Sequence, residues 1–111
     1  MVGRRLRARG WRILALNART RYGEIDLIGL DGGVLVFVEV KAGRDGSAIG
    51  AERPVLAVGP AKQRRVRALA GAWLGEQAAL PPHREVRFDA VGVSFDRRGD
   101  LVGIEHIEAA F

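Results

Sequence analysis

The chain has 111 residues, no cysteine and a formal charge of +5, from 18 basic and 13 acidic side chains. That length supports one hydrophobic core and therefore one domain spanning residues 1–111, and the missing thiols exclude disulfides and thiolate metal centres. No apolar run approaches the about 20 residues of a membrane helix, and the basic start lacks the apolar stretch of a signal peptide, so a cytoplasmic location with no membrane partner is expected.

The charge is lopsided. Residues 1–23 contain seven arginines, Arg4, Arg5 and Arg7 among them, and no acid, a local +7 that leaves −2 for the remainder. Such an end suits a polyanion, because the guanidinium fork matches phosphate oxygens; an arginine-rich solvated face is the plainer alternative. Residues 3–10 have room only for the last turns of a helix, closed by Gly10. Trp11 to Ala18 then reads as a first strand, and Asn17 to Tyr22 as a polar turn.

Gly23-Glu24-Ile25-Asp26-Leu27-Ile28 and Phe37-Val38-Glu39-Val40-Lys41 both read as strands, rich in branched and aromatic residues and bounded by Gly and Asp. Asp31-Gly32-Gly33 between them has the chemistry of a tight hairpin turn. Val34, Val36, Val38 and Val40 share one face, and Leu35 and Phe37 precede Glu39 on the other, so layers are expected above and below the sheet. A Gly32-Gly33 loop sets Asp26 opposite Glu39, whereas an Asp31-Gly32 loop sets Glu24 there. Either loop puts Glu24, Asp26, Glu39 and Lys41 on one surface. Carboxylates facing each other across strands repel unless a cation intervenes, and a divalent metal or Lys41 would serve. A surface ladder of ion pairs is the competing reading.

Residues 42–59 read as a long connection following Lys41, a length that often marks a functional loop. Gly59-Pro60 opens a helix, and Val66, Leu69, Ala70, Trp73 and Leu74 mark its apolar stripe, with Trp73 in the core. Lys62, Arg64, Arg65 and Arg67 crowd its first half, where a helix favours negative charge, which hints at an external anion. Pro81-Pro82 is expected to end the element. Val86 to Phe95 reads as a strand with Asp89 paired to Arg87 or to a helix cation, and Leu101 to Ile104 as an edge strand, with a closing turn over Ile107 to Phe111. A helical crossover implies that the fourth strand runs parallel to an earlier one. Ser47 lacks the context of a nucleophile, and the two histidines, His83 and His106, make no zinc signature.

The Asp26 and Glu39-x-Lys41 pattern resembles the PD-(D/E)xK nuclease superfamily, and the wording GEIDLI followed by FVEVK is similar to its YraN-like family. The resemblance extends through Lys62, Arg87-Phe88-Asp89 and Glu105-His106-Ile107-Glu108. It implies a restriction-endonuclease-like αβββαβ core with a mixed sheet flanked by helices, the first helix being partly missing here. It also implies an arginine two residues after the lysine, where this chain has Gly43 and then Arg44. The activity implied is Mg²⁺- or Mn²⁺-dependent hydrolysis of phosphodiester bonds in DNA, of a resolvase or repair type in which homodimers are common. By resemblance Asp26, Glu39 and the Val40 carbonyl would hold the metal. Lys41 would activate the attacking water, and Glu24 would support a second ion or a water. Arg4, Arg5, Arg7, Lys62, Arg64, Arg65 and Arg67 would meet the nucleic acid. A non-catalytic binding or assembly module on the same fold is the rival expectation.

Overall fold

The computed structural model describes residues 1–44 and 59–111. Helix α1 (Val2–Ala8) is followed by strands β1 (Arg12–Thr20), β2 (Gly23–Asp31) and β3 (Val34–Arg44). Helix α2 (Pro60–Glu76) and strands β4 (Glu85–Phe95) and β5 (Leu101–Ile107) complete the order. The strands form one mixed sheet, β1-β2-β3-β4-β5. Among the described strands only the β3–β4 junction is parallel, and α2 lies on the crossover that a parallel neighbour requires. None of the described helices is long and apolar enough to cross a membrane.

The alternation in β3 builds both layers. Val34, Val36 and Val38 pack with Leu6 of α1, Trp11, Leu27, Val91 and Val93. Leu35 and Phe37 pack on the opposite face with Ile28, Leu30, Leu69 and Trp73. Leu35 through Val38 are fully buried, and each such side chain stabilises the fold by about 1.5–3 kcal/mol relative to exposure. Phe37 meets Trp73 edge-on, with ring centroids 5.8 Å apart at 80°. The stripe read from the sequence is thus the buried face of α2, formed by Val66, Leu69, Ala70 and Trp73.

Several boundaries differ from expectation, each for a local reason. The helical turns expected over residues 3–10 form as α1 over Val2–Ala8, held by Leu6, which is 2% exposed. Strand β1 continues to Thr20 because Ala18, Arg19 and Thr20 pair with Ile25, Glu24 and Gly23. The turn shrinks to Arg21-Tyr22, closed by Thr20 Oγ1 donating to Gly23 O at 2.9 Å and accepting from Tyr22 N at 3.1 Å. Helix α2 stops at Glu76, before the prolines. Beyond Leu74 the apolar stripe is spent, and Gln77 closes the end by donating to Leu74 O and, from its side chain, to Trp73 O. Strand β5 runs on to Ile107, opposite Ala90. Strand β3 likewise runs to Arg44, in register with Phe95. Residues 45–58 of the expected connection, Ser47 included, lie outside the described residues.

Candidate functional site

The hairpin resolves the choice between the two turns. Asp31 pairs with Val34 across Gly32-Gly33, and the register holds to Leu27↔Val38. Gly32 has φ +60°, the left-handed conformation that such a turn asks of its residues. One step further the same count sets Asp26 against Glu39, but the paired ladder ends at Leu27↔Val38. There the Asp26 carboxylate accepts the backbone N–H of Val40 at 2.7 Å. Ile25 and Ile28 both pack in the α2-side cluster, although strict alternation would put residues three apart on opposite faces. The strand therefore turns at Asp26. Asn17, which the β1–β2 register places beside it, has φ +50°. In consequence Asp26 lines two clefts, one on each face of the sheet.

The cleft on the α2 side, about 410 Å³, is lined by Glu24, Asp26, Glu39, Lys62 and Arg65 over a floor of Val66 and Leu69. Lys62 Nζ lies 2.7 Å from Glu39 Oε1, with the Glu39 side chain only 12% exposed. Lys41 sits beside them. A hydrogen bond from Lys62, the charge of Lys62 and burial depress the Lys41 pKa, against the opposing pull of Glu39 and Asp26. The hydrogen bond with Glu39 raises that of Lys62 despite burial. Sequence reasoning grouped Lys62 with the phosphate-binding arginines, and the structure also brings it onto Glu39. A signal was present: the chain has only two lysines, and both are here.

The cleft on the α1 side, about 520 Å³, is lined by Arg4, Arg7, Asn17, Leu27 and Val40 as well as Asp26. Arg5 and Arg64 are exposed on the same two helices and are not among the residues that line either cleft. Arg67 lies over the Phe88 ring at 4.6 Å. Glu24 is exposed at the rim, 3.8 Å from Arg19. Among the described residues no three His, Asp or Glu side chains come close enough together to hold one metal ion. The two carboxylates of Asp26 and Glu39 still have the donor chemistry for Mg²⁺ or Mn²⁺, since Mg²⁺ needs only one or two carboxylates and keeps several waters. Glu39 would have to exchange Lys62 for the ion.

A second charged cluster lies on the α1 face, centred on Asp89, which is 0% exposed. Arg87 grips it with two bonds, Nε to Oδ1 at 2.8 Å and Nη2 to Oδ2 at 2.9 Å. His106 Nε2 stands 2.8 Å from Oδ2, and Ala109 N donates to Oδ1 at 3.0 Å. Burial pushes the Asp89 carboxyl up, but the bonds from His106, Arg87 and Ala109 outweigh it and leave the pKa below the ordinary carboxylate value. Arg87 also reaches Asp31 of the hairpin turn at 3.1 Å. The expected Asp89–Arg87 pair is therefore present, whereas His106, unassigned from sequence, is part of it.

Fold and site together define a small α/β protein whose mixed sheet opens, where β2 and β3 part, onto a cleft of carboxylates and lysines. The chain belongs to UPF0102: the family model described as "Uncharacterised protein family UPF0102" matches residues 1–93. This is the YraN-like family that the GEIDLI and FVEVK segments resemble. A UPF0102 protein of Streptomyces griseus is 44% identical over 99 residues, covering 89% of this chain and 80% of its own length. One from Anaeromyxobacter dehalogenans is 47% identical over 107 residues, covering 96% of this chain and 74% of its own length. One from Rhodococcus opacus is 42% identical over all 111 residues, 89% of its own length.

Proposed function

We propose that this protein is a metal-dependent nuclease of the PD-(D/E)xK type, with a restriction-endonuclease-like core, that hydrolyses phosphodiester bonds in nucleic acid, DNA being the expected substrate. The observation that carries this reading is the convergence of Asp26, Glu39 and Lys62 on one cleft, with Lys41 against Lys62. The element order and the parallel β3–β4 junction across α2 support it. Asp26 and Glu39 are the proposed holders of the cation. When bound, Mg²⁺ or Mn²⁺ supplies Lewis acidity and a lowered pKa for its water. Lys41 offers an ammonium whose pKa is already depressed, suited to holding the attacking water and the phosphoryl oxygen as charge develops. Lys62 and Arg65 offer cationic partners for the substrate's phosphates from α2.

Purified protein tested on single-stranded, duplex, flapped and four-way DNA with Mg²⁺, Mn²⁺ or EDTA should cut at least one substrate only when a divalent ion is present. Asp26→Asn should abolish cutting. Lys41→Met should slow it about a hundredfold, the usual effect of removing one hydrogen-bond donor from the transition state, while binding in Ca²⁺ persists. No cutting of any substrate by a folded, DNA-binding protein would turn the reading to a non-catalytic binding module. One observation favours that second reading: Glu39 is already neutralised by Lys62 at 2.7 Å, and Asp26 already accepts a backbone N–H.

A further inference from the structure

Asp26 is shared by clefts on opposite faces of the sheet, and each cleft carries its own cations. On the α1 side these are Arg4 and Arg7, and on the α2 side Lys62 and Arg65. Glu39 occupies Lys62, whereas all three arginines stand exposed, and their forks match phosphate oxygens. A carboxylate between two basic clefts is an unfavourable place for one compact anion. It suits a chain of phosphates that passes over it, with charges to spare on both sides.

We propose that a single strand of nucleic acid crosses the open end of the sheet, one backbone phosphate at Arg4 and Arg7, another at Lys62 and Arg65, and the phosphodiester between them at Asp26. This rests on the reading of Asp26 as part of a phosphodiester site and adds the form of the substrate and its path. A single strand suits this path for two reasons. Clefts of about 410 and 520 Å³ fall within the roughly 300–1,000 Å³ of small-molecule sites, room for individual nucleotides. The path also turns from one face of a thin sheet to the other. Duplex DNA, with a persistence length of about 50 nm, resists such a bend, while a single strand follows it freely.

The test is binding without catalysis. Fluorescence anisotropy with labelled oligo(dT) of about 12 nucleotides, within the range of single-strand sites, is measured in EDTA against the same length of duplex. Oligo(U) is the RNA arm, and the tighter of the two single strands identifies the sugar. Arg4→Gln with Arg7→Gln should weaken single-strand binding about tenfold and flatten the slope of log K against log salt by about 0.7 for each phosphate no longer neutralised. Arg65→Gln should flatten it by about 0.7 as well. Arg84→Gln, exposed and held beside Gly33 at the end of the sheet away from Asp26, should change affinity less than about twofold. Arg4, Arg7, Arg65 and Arg84 are all exposed, and circular dichroism confirms that each variant folds. The path is overturned if the duplex binds more tightly than either single strand, if neither single strand binds, or if the variants of either cleft match the Arg84 control. The two ideas fail separately. A wild type that binds across both clefts in EDTA yet cuts nothing removes the hydrolysis and leaves the path. One that cuts, with Arg4 and Arg7 dispensable for binding, does the reverse.

Discussion

At Asp89 four hydrogen bonds replace the water that a carboxylate loses on burial: two from Arg87, one with His106 and one from Ala109 N. Removing one partner of a buried ion pair strands the other. Asp89→Asn should therefore destabilise the fold by about 3–5 kcal/mol, read from the midpoint of urea unfolding. The pH dependence has a definite sign. Because the folded state lowers this pKa, its contribution is present above the ordinary value of 3.8 and is lost as pH falls toward the folded value. The gap between wild type and Asp89→Asn should narrow over that acid range; a gap constant with pH would mean that the charge is not what Asn removes. The Arg87–Asp89 pair was legible because residues two apart on a strand share a face. His106 and Ala109 were not, since their approach depends on the β4–β5 register and on a left-handed φ of 52° at Ala109.

At the scale of elements, the sequence announced β3 and α2 clearly. The Val34, Val36, Val38 series and the Leu69, Trp73 stripe each face the layer that their period implies. Trp73 joins the two elements through Phe37, so Trp73→Ala should cost about 3–5 kcal/mol of stability, the range for deleting a buried aromatic. A melting temperature unchanged by that substitution would show that α2 is not anchored through Trp73. What the period could not announce is the turn of β2 at Asp26. Alternation places Glu24, Asp26, Glu39 and Lys41 on one regular surface, yet the N–H of Val40 draws the Asp26 carboxylate into the gap between parting strands. The end of α2 was obscured for a different reason. Pro81 and Pro82 are strong stop signals, but Gln77 closes the helix first.

For the molecule as a whole, the basic residues of α1 and of α2 become two approaches to one acidic point, and that could be known only once the faces of the sheet were assigned. The proposed cation at Asp26 and Glu39 would bind the folded chain and not the unfolded one, so it should stabilise globally. A ligand at about 100 times its dissociation constant adds about 2.7 kcal/mol. Differential scanning calorimetry with Mg²⁺ or Mn²⁺ should show a raised melting temperature in the wild type and none in Asp26→Asn. Equal shifts in both proteins would place the ion elsewhere.

The single parallel junction also governs the order in which the chain can assemble. Strands β1, β2 and β3 are joined by turns of two residues, Arg21-Tyr22 and Gly32-Gly33, so their ladders close over short loops. The β3–β4 ladder closes only across α2 and everything that precedes it, a far larger entropic cost. The meander is therefore the natural nucleus and β4 its late arrival. Arg87 then ties the newcomer back to Asp31 in the first-formed hairpin, acting as a lock on unfolding more than as an aid to folding.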